Sequence, residues 1–292
     1  MTRLGYQIPN FTYPGVDSAG IFDVVAMQAA AADRSGFDTV LLMDHFYQLP
    51  MLGDPDANML ECYTTLGALA RETKTVRLGA LVTGNTYRNP ALLAKSAVTV
   101  DHLSGGRLEF GIGAAWAQIE HQMYGLPGLD HRVGMLSESL RIIRSLWTEE
   151  RTNFEGRYYH FKDAICNPKP IQRPYPPIWI GASGPTTLRL VARYADVWNM
   201  TSGTPDRVKE LTFILEEACG AVGRDPSEIR RSIQLDWSGE DRHELVELCG
   251  QYLELGVTEQ VVYLRGGPPP EALAGKVAEA LPDLRKLEMV AK

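Results

Sequence analysis

The feature that most constrains this chain is an alternation, repeated along its whole length, of short apolar runs with stretches whose apolar residues recur at helical spacing. Eight runs begin near Leu4, Thr39, Val76, Arg107, Pro177, Asp196, Arg230 and Glu259. Residues 39–43 form a continuous apolar run, as in a parallel strand covered on both faces. Between the runs, Ile21, Val24, Val25, Ala29 and Ala32 trace a helix face behind a Ser18 N-cap, and Gly36 stops it. Leu136, Leu140, Ile143 and Trp147 mark one face of another helix over 135–147. Asn89-Pro90 places a proline where a first helical turn can use it. An eightfold strand–helix repeat favours a closed barrel, because an open sheet leaves two edges and usually has fewer strands. The expected fold is therefore α/β, a single (β/α)₈ TIM barrel over residues 1–292. It carries one insertion: NFEGRYYHF, within 152–161, reads as a small hairpin with Gly156 in its turn.

Composition narrows the function classes. A net charge of −7 is a poor match to a nucleic-acid binder, which works by counterion release. No stretch approaches ~20 consecutive apolar residues, so no membrane span is expected. The first residues run straight into a strand without an apolar signal region, which makes a cytoplasmic location the expectation. Cys62, Cys166, Cys219 and Cys249 form no CxxC pair and read as reduced, buried residues. No convergent set of His and carboxylate ligands suggests a metal, which puts a metal-dependent hydrolase last among the possibilities.

In a barrel of this kind the chemistry sits where the strands end. That rule selects Asp44, His45, Phe46 and Tyr47 after strand two, residues 83–88 after strand three, and Gly113, Ala114 and Trp116 after strand four. It also selects Gly181, Ala182, Ser183 and Gly184 after strand five, and Trp198 at the end of strand six. His45 is the outstanding titratable group, able to take or give a proton near neutrality, with Asp44 beside it to orient the ring or hold a cofactor atom. A histidine that merely caps a strand end is the structural alternative. The Gly181–Gly184 segment, between a strand and a helix, suits an anion at a helix N-terminus, although such loops also serve simply as turns. Gly113 permits a flat ring to approach the backbone, or marks a tight strand exit. Glu120 and Arg132 are expected to form an ion pair that fixes loop geometry. His102 and Arg107 belong to the opposite end of the barrel and read as structural, and His131, His160 and His243 read as surface residues.

The run DHLSGGRLEFGIGAAWAQIEHQMYG (101–125) resembles the signature of the luciferase-like flavin and deazaflavin oxidoreductases. So do residues 153–159 paired with 167–172, and the segments 177–181 and 192–199. Met43-Asp44-His45-Phe46 is similar to the Ser-Asp-His-Phe stretch of deazaflavin-dependent sugar-phosphate dehydrogenases. The resemblance implies hydride transfer between coenzyme F420 and an organic substrate. It implies Asp44 as a cofactor contact and His45 as the acid/base. Leu81 and Val82 would lie behind the tricyclic ring, joined by a non-proline cis peptide, with Gly113 and Ala114 beside it. The phosphate-bearing tail would lie on Gly181, Ala182, Ser183 and Gly184. Two departures from those dehydrogenases stand out: Trp116 occupies the place of their catalytic glutamate, and Leu49 that of their active-site tryptophan. Phe46, Tyr47, Trp116 and Trp198 would then line an aromatic pocket for an uncharged substrate. The alternatives are a monooxygenase that takes reduced FMN from a separate reductase and activates oxygen, and a non-catalytic flavin-binding barrel. The resemblance also suggests a homodimer.

Overall fold

The computed structural model describes residues 2–264 and 270–287. Its strands are β1 (Arg3–Ile8), β2 (Thr39–Leu42), β3 (Arg77–Ala80), β4 (Thr83–Gly84), β5 (Leu108–Gly113), β6 (Thr152–Glu155), β7 (His160–Ala164), β8 (Ile178–Gly181), β9 (Val197–Met200), β10 (Arg230–Trp237) and β11 (Glu259–Leu264). Its helices are α1 (Ile21–Ser35), α2 (Cys62–Glu72), α3 (Pro90–Leu103), α4 (Gln118–Met123), α5 (Arg132–Thr148), α6 (Pro185–Tyr194), α7 (Pro205–Gly220), α8 (Arg242–Glu254) and α9 (Pro270–Leu284).

Eight strands close a parallel barrel. β1 pairs with β2 and with β11, and the ladder continues through β3, β5, β8, β9 and β10 back to β11. Closure leaves no edge strand to protect. β4 adds a short pairing at the upper end of β5. The helices surround the barrel, and α9 packs against α1 to complete the ring. Outside it stands the antiparallel hairpin of β6 and β7. The Glu138 carboxylate on α5 fastens it by accepting the backbone N–H groups of Arg157, Tyr158 and Tyr159.

Local chemistry sets the element ends. Gly36 takes φ 88°, the left-handed conformation that ends α1. At its other end α1 begins at Ile21 with Gly20 as N-cap, two residues beyond the expected Ser18. The reason is Asp17, whose carboxylate accepts the amides of Ala19 and Gly20 and keeps those residues in a turn. At α3 the Asn89 side chain accepts the Ala91 amide at 2.9 Å and Pro90 fills the first turn. Between β3 and β5 the backbones approach so closely that a Cβ on Gly111 would stand 1.9 Å from the Ala80 carbonyl oxygen. Only glycine fits there.

Side chains alternate between the barrel interior and the helix shell. Leu41, Leu81, Trp179, Val197 and Val261 form a small inner cluster, whereas Val40, Leu42, Ile178, Ile180 and Trp198 join the large outer core. Below the inner cluster lies a charged floor. There Arg3 and Arg230 reach Glu259 at 3.1 and 2.5 Å, Arg77 pairs with Glu109, and the Trp179 indole donates to Glu109 at 2.6 Å. Burial pushes the Glu259 carboxyl up to about 7; Arg230 and Arg3 offset this only in part, and nearby Glu109 adds to the rise. The four cysteines are buried and unpaired. Among the described residues no cluster of His, Cys, Asp or Glu could hold a metal, and no helix is long and apolar enough to cross a membrane.

Candidate active site

A cavity of about 750 Å³ opens at the C-terminal ends of the barrel strands. Its back wall is Leu81 and Val82, joined by a non-proline cis peptide, together with Gly113 and Ala114. Val82 is set into a notch left by glycines of two neighbouring strands. A Cβ on Gly113 would meet a Val82 methyl at 2.9 Å, and one on Gly181 would meet it at 2.8 Å. The absence of a side chain at Gly113 and at Gly181 is therefore what lets Val82 stand behind the cavity.

His45 lines the cavity on the loop after β2. Its Nδ1 lies 2.9 Å from the Glu120 carboxylate on α4, which also accepts the Phe46 amide at 2.6 Å and the Tyr87 hydroxyl in a very short bond. Glu120 is fully buried. Burial alone would push its carboxyl up, but the hydrogen bonds from His45, Tyr87 and Phe46 outweigh it and hold the group below its ordinary range. Burial first, and then the Glu120 charge, drive the Tyr87 phenol well above its usual value, so it stays protonated and donates. Ala115, with φ 66°, turns the chain after β5 and brings Trp116 to His45, with ring centroids 5.9 Å apart.

Asp44 faces away from the cavity. Its carboxylate receives Arg88 Nη1 and Nη2 at 2.5 and 3.0 Å, and Arg88 continues to Glu61, the side-chain N-cap of α2. The guanidinium also lies 5.0 Å from the Tyr63 ring centroid. Burial works against the Arg88 charge, but Asp44 and Glu61 raise its pKa above the free value. This network, anchored on the buried Asp44, fixes the root of the loop that carries His45.

A further wall of the cavity is the loop that leads into α6. Gly181 through Thr187 line it, α6 begins at Pro185, and its N-cap Gly184 supplies no side-chain cap. The first-turn amides and the positive end of the helix are thus left for a ligand. Arg132 lines the same cavity. The rest of the lining is mixed: apolar Leu49, Met51, Leu52, Trp116 and Val133, and polar Gln7, Thr201, Ser202, Gln234 and Tyr263.

Of the residues selected from sequence, the structure brings together His45, Leu81, Val82, Gly113, Ala114, Trp116, Gly181, Ala182, Ser183 and Gly184 around one cavity. It places four others elsewhere. Asp44 is turned to Arg88. Phe46 packs between the Tyr87 and Tyr124 rings, each centroid 5.2 Å away. Tyr47 is not among the lining residues. Trp198 is buried in the outer core with its indole donating to the Ala182 carbonyl at 2.9 Å, because its register on β9 points it at the helix shell. The expected Glu120–Arg132 ion pair does not form: Glu120 turns to His45, and Arg132 Nη1 donates to the Leu129 carbonyl at 3.1 Å. Sequence reasoning did not foresee that Glu120 and Tyr87 converge on His45. Their positions offered one clue, in that both follow strands that end at the active face.

A family model described as luciferase-like monooxygenase matches residues 2–261. An F420-dependent glucose-6-phosphate dehydrogenase of Segniliparus rotundus is 35% identical over 214 residues, which are 71% of this chain and 62% of that protein. The chain thus spans less than two thirds of that relative's length. An FMNH₂-dependent dimethylsulfone monooxygenase of Pseudomonas putida is 32% identical over 177 residues, 60% of this chain and 47% of that one. Among solved structures, an F420-dependent secondary alcohol dehydrogenase bound to an F420–acetone adduct superposes with a TM-score of 0.83 at 21% identity, covering 98% of this chain and 99% of that one.

Proposed function

The chain belongs to the luciferase-like monooxygenase family, and from that premise we propose that it is an oxidoreductase using the deazaflavin coenzyme F420 to exchange a hydride with a small organic substrate. The observation that carries this reading is convergence: a histidine fixed by a buried carboxylate, a flat wall and a helix-terminal cradle all open into one cavity of about 750 Å³. That volume suits a tricyclic ring with a small substrate beside it. Gly113 and Gly181 leave Val82 as the backing of the ring, and Gly181 to Thr187 would hold the phosphate-bearing tail at the start of α6.

When bound, the deazaflavin supplies the two-electron hydride chemistry; the chain supplies position, exclusion of water and a proton-transfer group. His45 exchanges the proton that accompanies the hydride. The cavity's described lining contains no aspartate or glutamate and presents Leu49, Met51, Leu52, Trp116 and Val133 on the substrate side. Those apolar side chains suit the hydrocarbon part of an uncharged organic substrate. The 35% identical dehydrogenase supports F420 as the coenzyme.

The cradle would equally accept the phosphate of FMN, and the relative from Pseudomonas putida supports that second reading, in which a separate reductase delivers reduced flavin. Equilibrium titration of the purified chain with F420 and with FMN, followed by fluorescence, separates the two. We expect at least a tenfold preference for F420, about 1.4 kcal/mol. Preference for FMN would favour the monooxygenase reading, whose signature is substrate-coupled oxygen consumption.

A further inference from the structure

Glu120 is fully buried, and among the described residues its ion-pair partner is a histidine, not a lysine or arginine. We propose that Glu120 is the positioning residue for proton transfer: with Tyr87 it locks His45 in the tautomer that carries hydrogen on Nδ1, leaving Nε2 bare as the proton acceptor of the cavity. The proposal rests on the reading of His45 as the proton-transfer group.

The argument is a count of donors and acceptors. The Tyr87 hydroxyl and the Phe46 amide both donate to Glu120, favouring its ionised form against the push of burial, and an ionised carboxylate only accepts. Nδ1, at 2.9 Å from Glu120 Oε2, must therefore be the donor. Tyr87 has a single proton and gives it to the same Oε2, so the Tyr87 oxygen, 3.3 Å from Nδ1, also faces the ring as an acceptor. Two acceptors flank Nδ1, and only the Nδ1–H tautomer satisfies both. With Nδ1 committed, a neutral ring offers the lone pair of Nε2 to the cavity that His45 lines. In oxidation of a hydroxyl-bearing substrate the carbon-bound hydrogen would leave as hydride to the oxidised coenzyme, while the O–H bond breaks, an Nε2–H bond forms, and the O–H electron pair becomes the second bond of the new C=O group. The positive charge that results lies 2.9 Å from the Glu120 carboxylate, which stabilises it.

The test begins with the whole cofactor-free chain, its histidines labelled with ¹⁵N, and NMR of the ring nitrogens at a pH where the imidazoles are neutral. His45→Ala identifies the His45 signals. We expect a single His45 tautomer with a protonated Nδ1 and a bare Nε2. In Glu120→Gln the amide can turn its NH₂ toward Nδ1, so the tautomers should mix or invert. With coenzyme and substrate present, kcat of that variant should fall about 10²–10⁴-fold while KM changes little. A wild-type His45 protonated on Nε2 overturns the proposal without any variant having to fold. An unchanged tautomer in Glu120→Gln overturns it as well. Because the spectra are taken without coenzyme, they decide the role of Glu120 whichever coenzyme the chain uses; an active His45→Ala would instead remove the reading beneath it.

Discussion

A histidine side chain works as a proton carrier when one ring nitrogen is held and the other is free. His45 meets that condition through Glu120, 75 positions away in sequence, and Tyr87, 42 away. If His45 exchanges the proton, His45→Ala should lower turnover by about 10²–10⁴-fold while equilibrium binding of the coenzyme stays nearly unchanged; unaltered steady-state turnover would remove His45 from the mechanism. That His45 lines the cavity was legible from one rule, that barrel chemistry sits where strands end. Its partner was not, because no local pattern links residues on different βα units, and proximity in sequence pointed Glu120 to Arg132 instead. The sequence did not reveal that Asp44's neighbour in space is Arg88, on the loop after the next barrel strand. Trp198 shows an error of another kind. An aromatic residue near a strand end was read as pocket lining, when the two-residue alternation of β9 turns it outward.

At the scale of elements, sequence signals performed best where a single residue has a single job. Gly36 as the end of α1, Pro90 in the first turn of α3 and Gly156 between the hairpin strands each stand where the local chemistry requires. The start of α1 was misplaced because Ser18 and Asp17 are both competent turn formers, and the geometry that chooses between them is three-dimensional. The capping of α3 invites a measurement. Replacing Asn89 with Ala removes the side-chain acceptor for the Ala91 amide and should cost about 1 kcal/mol. Urea denaturation should show a lower midpoint with the slope unchanged, and no loss of stability would mean that water caps the helix equally well.

For the molecule as a whole, eight βα units predicted a closed ring, and the parallel ladder from β1 around to β11 is that ring. What the units could not reveal is its charged floor. Each of Arg3, Arg77, Glu109, Arg230 and Glu259 begins or borders a strand, and a single strand pattern does not say that five strands bring them together. Glu259 gives this floor a pH signature. Its folded pKa is raised to about 7 from 4.5, so between those values the folded chain holds a proton that the unfolded chain has released. Its contribution to stability therefore falls as pH rises through this window and levels off above it. Thermal midpoints of wild type and Glu259→Gln at pH 5 and pH 8 should show the variant gaining on wild type at the higher pH; a constant difference would mean that Glu259 is ionised throughout. Higher in the barrel, the Val82 methyl that fits against Gly113 and Gly181 ties the evolution of three strands together. A lineage that gained a side chain at either glycine would first have to shrink position 82, since the reverse order passes through a clash. The back wall of the cavity can thus be remodelled only along an ordered mutational path, and its shape should persist while the mouth of the cavity diversifies.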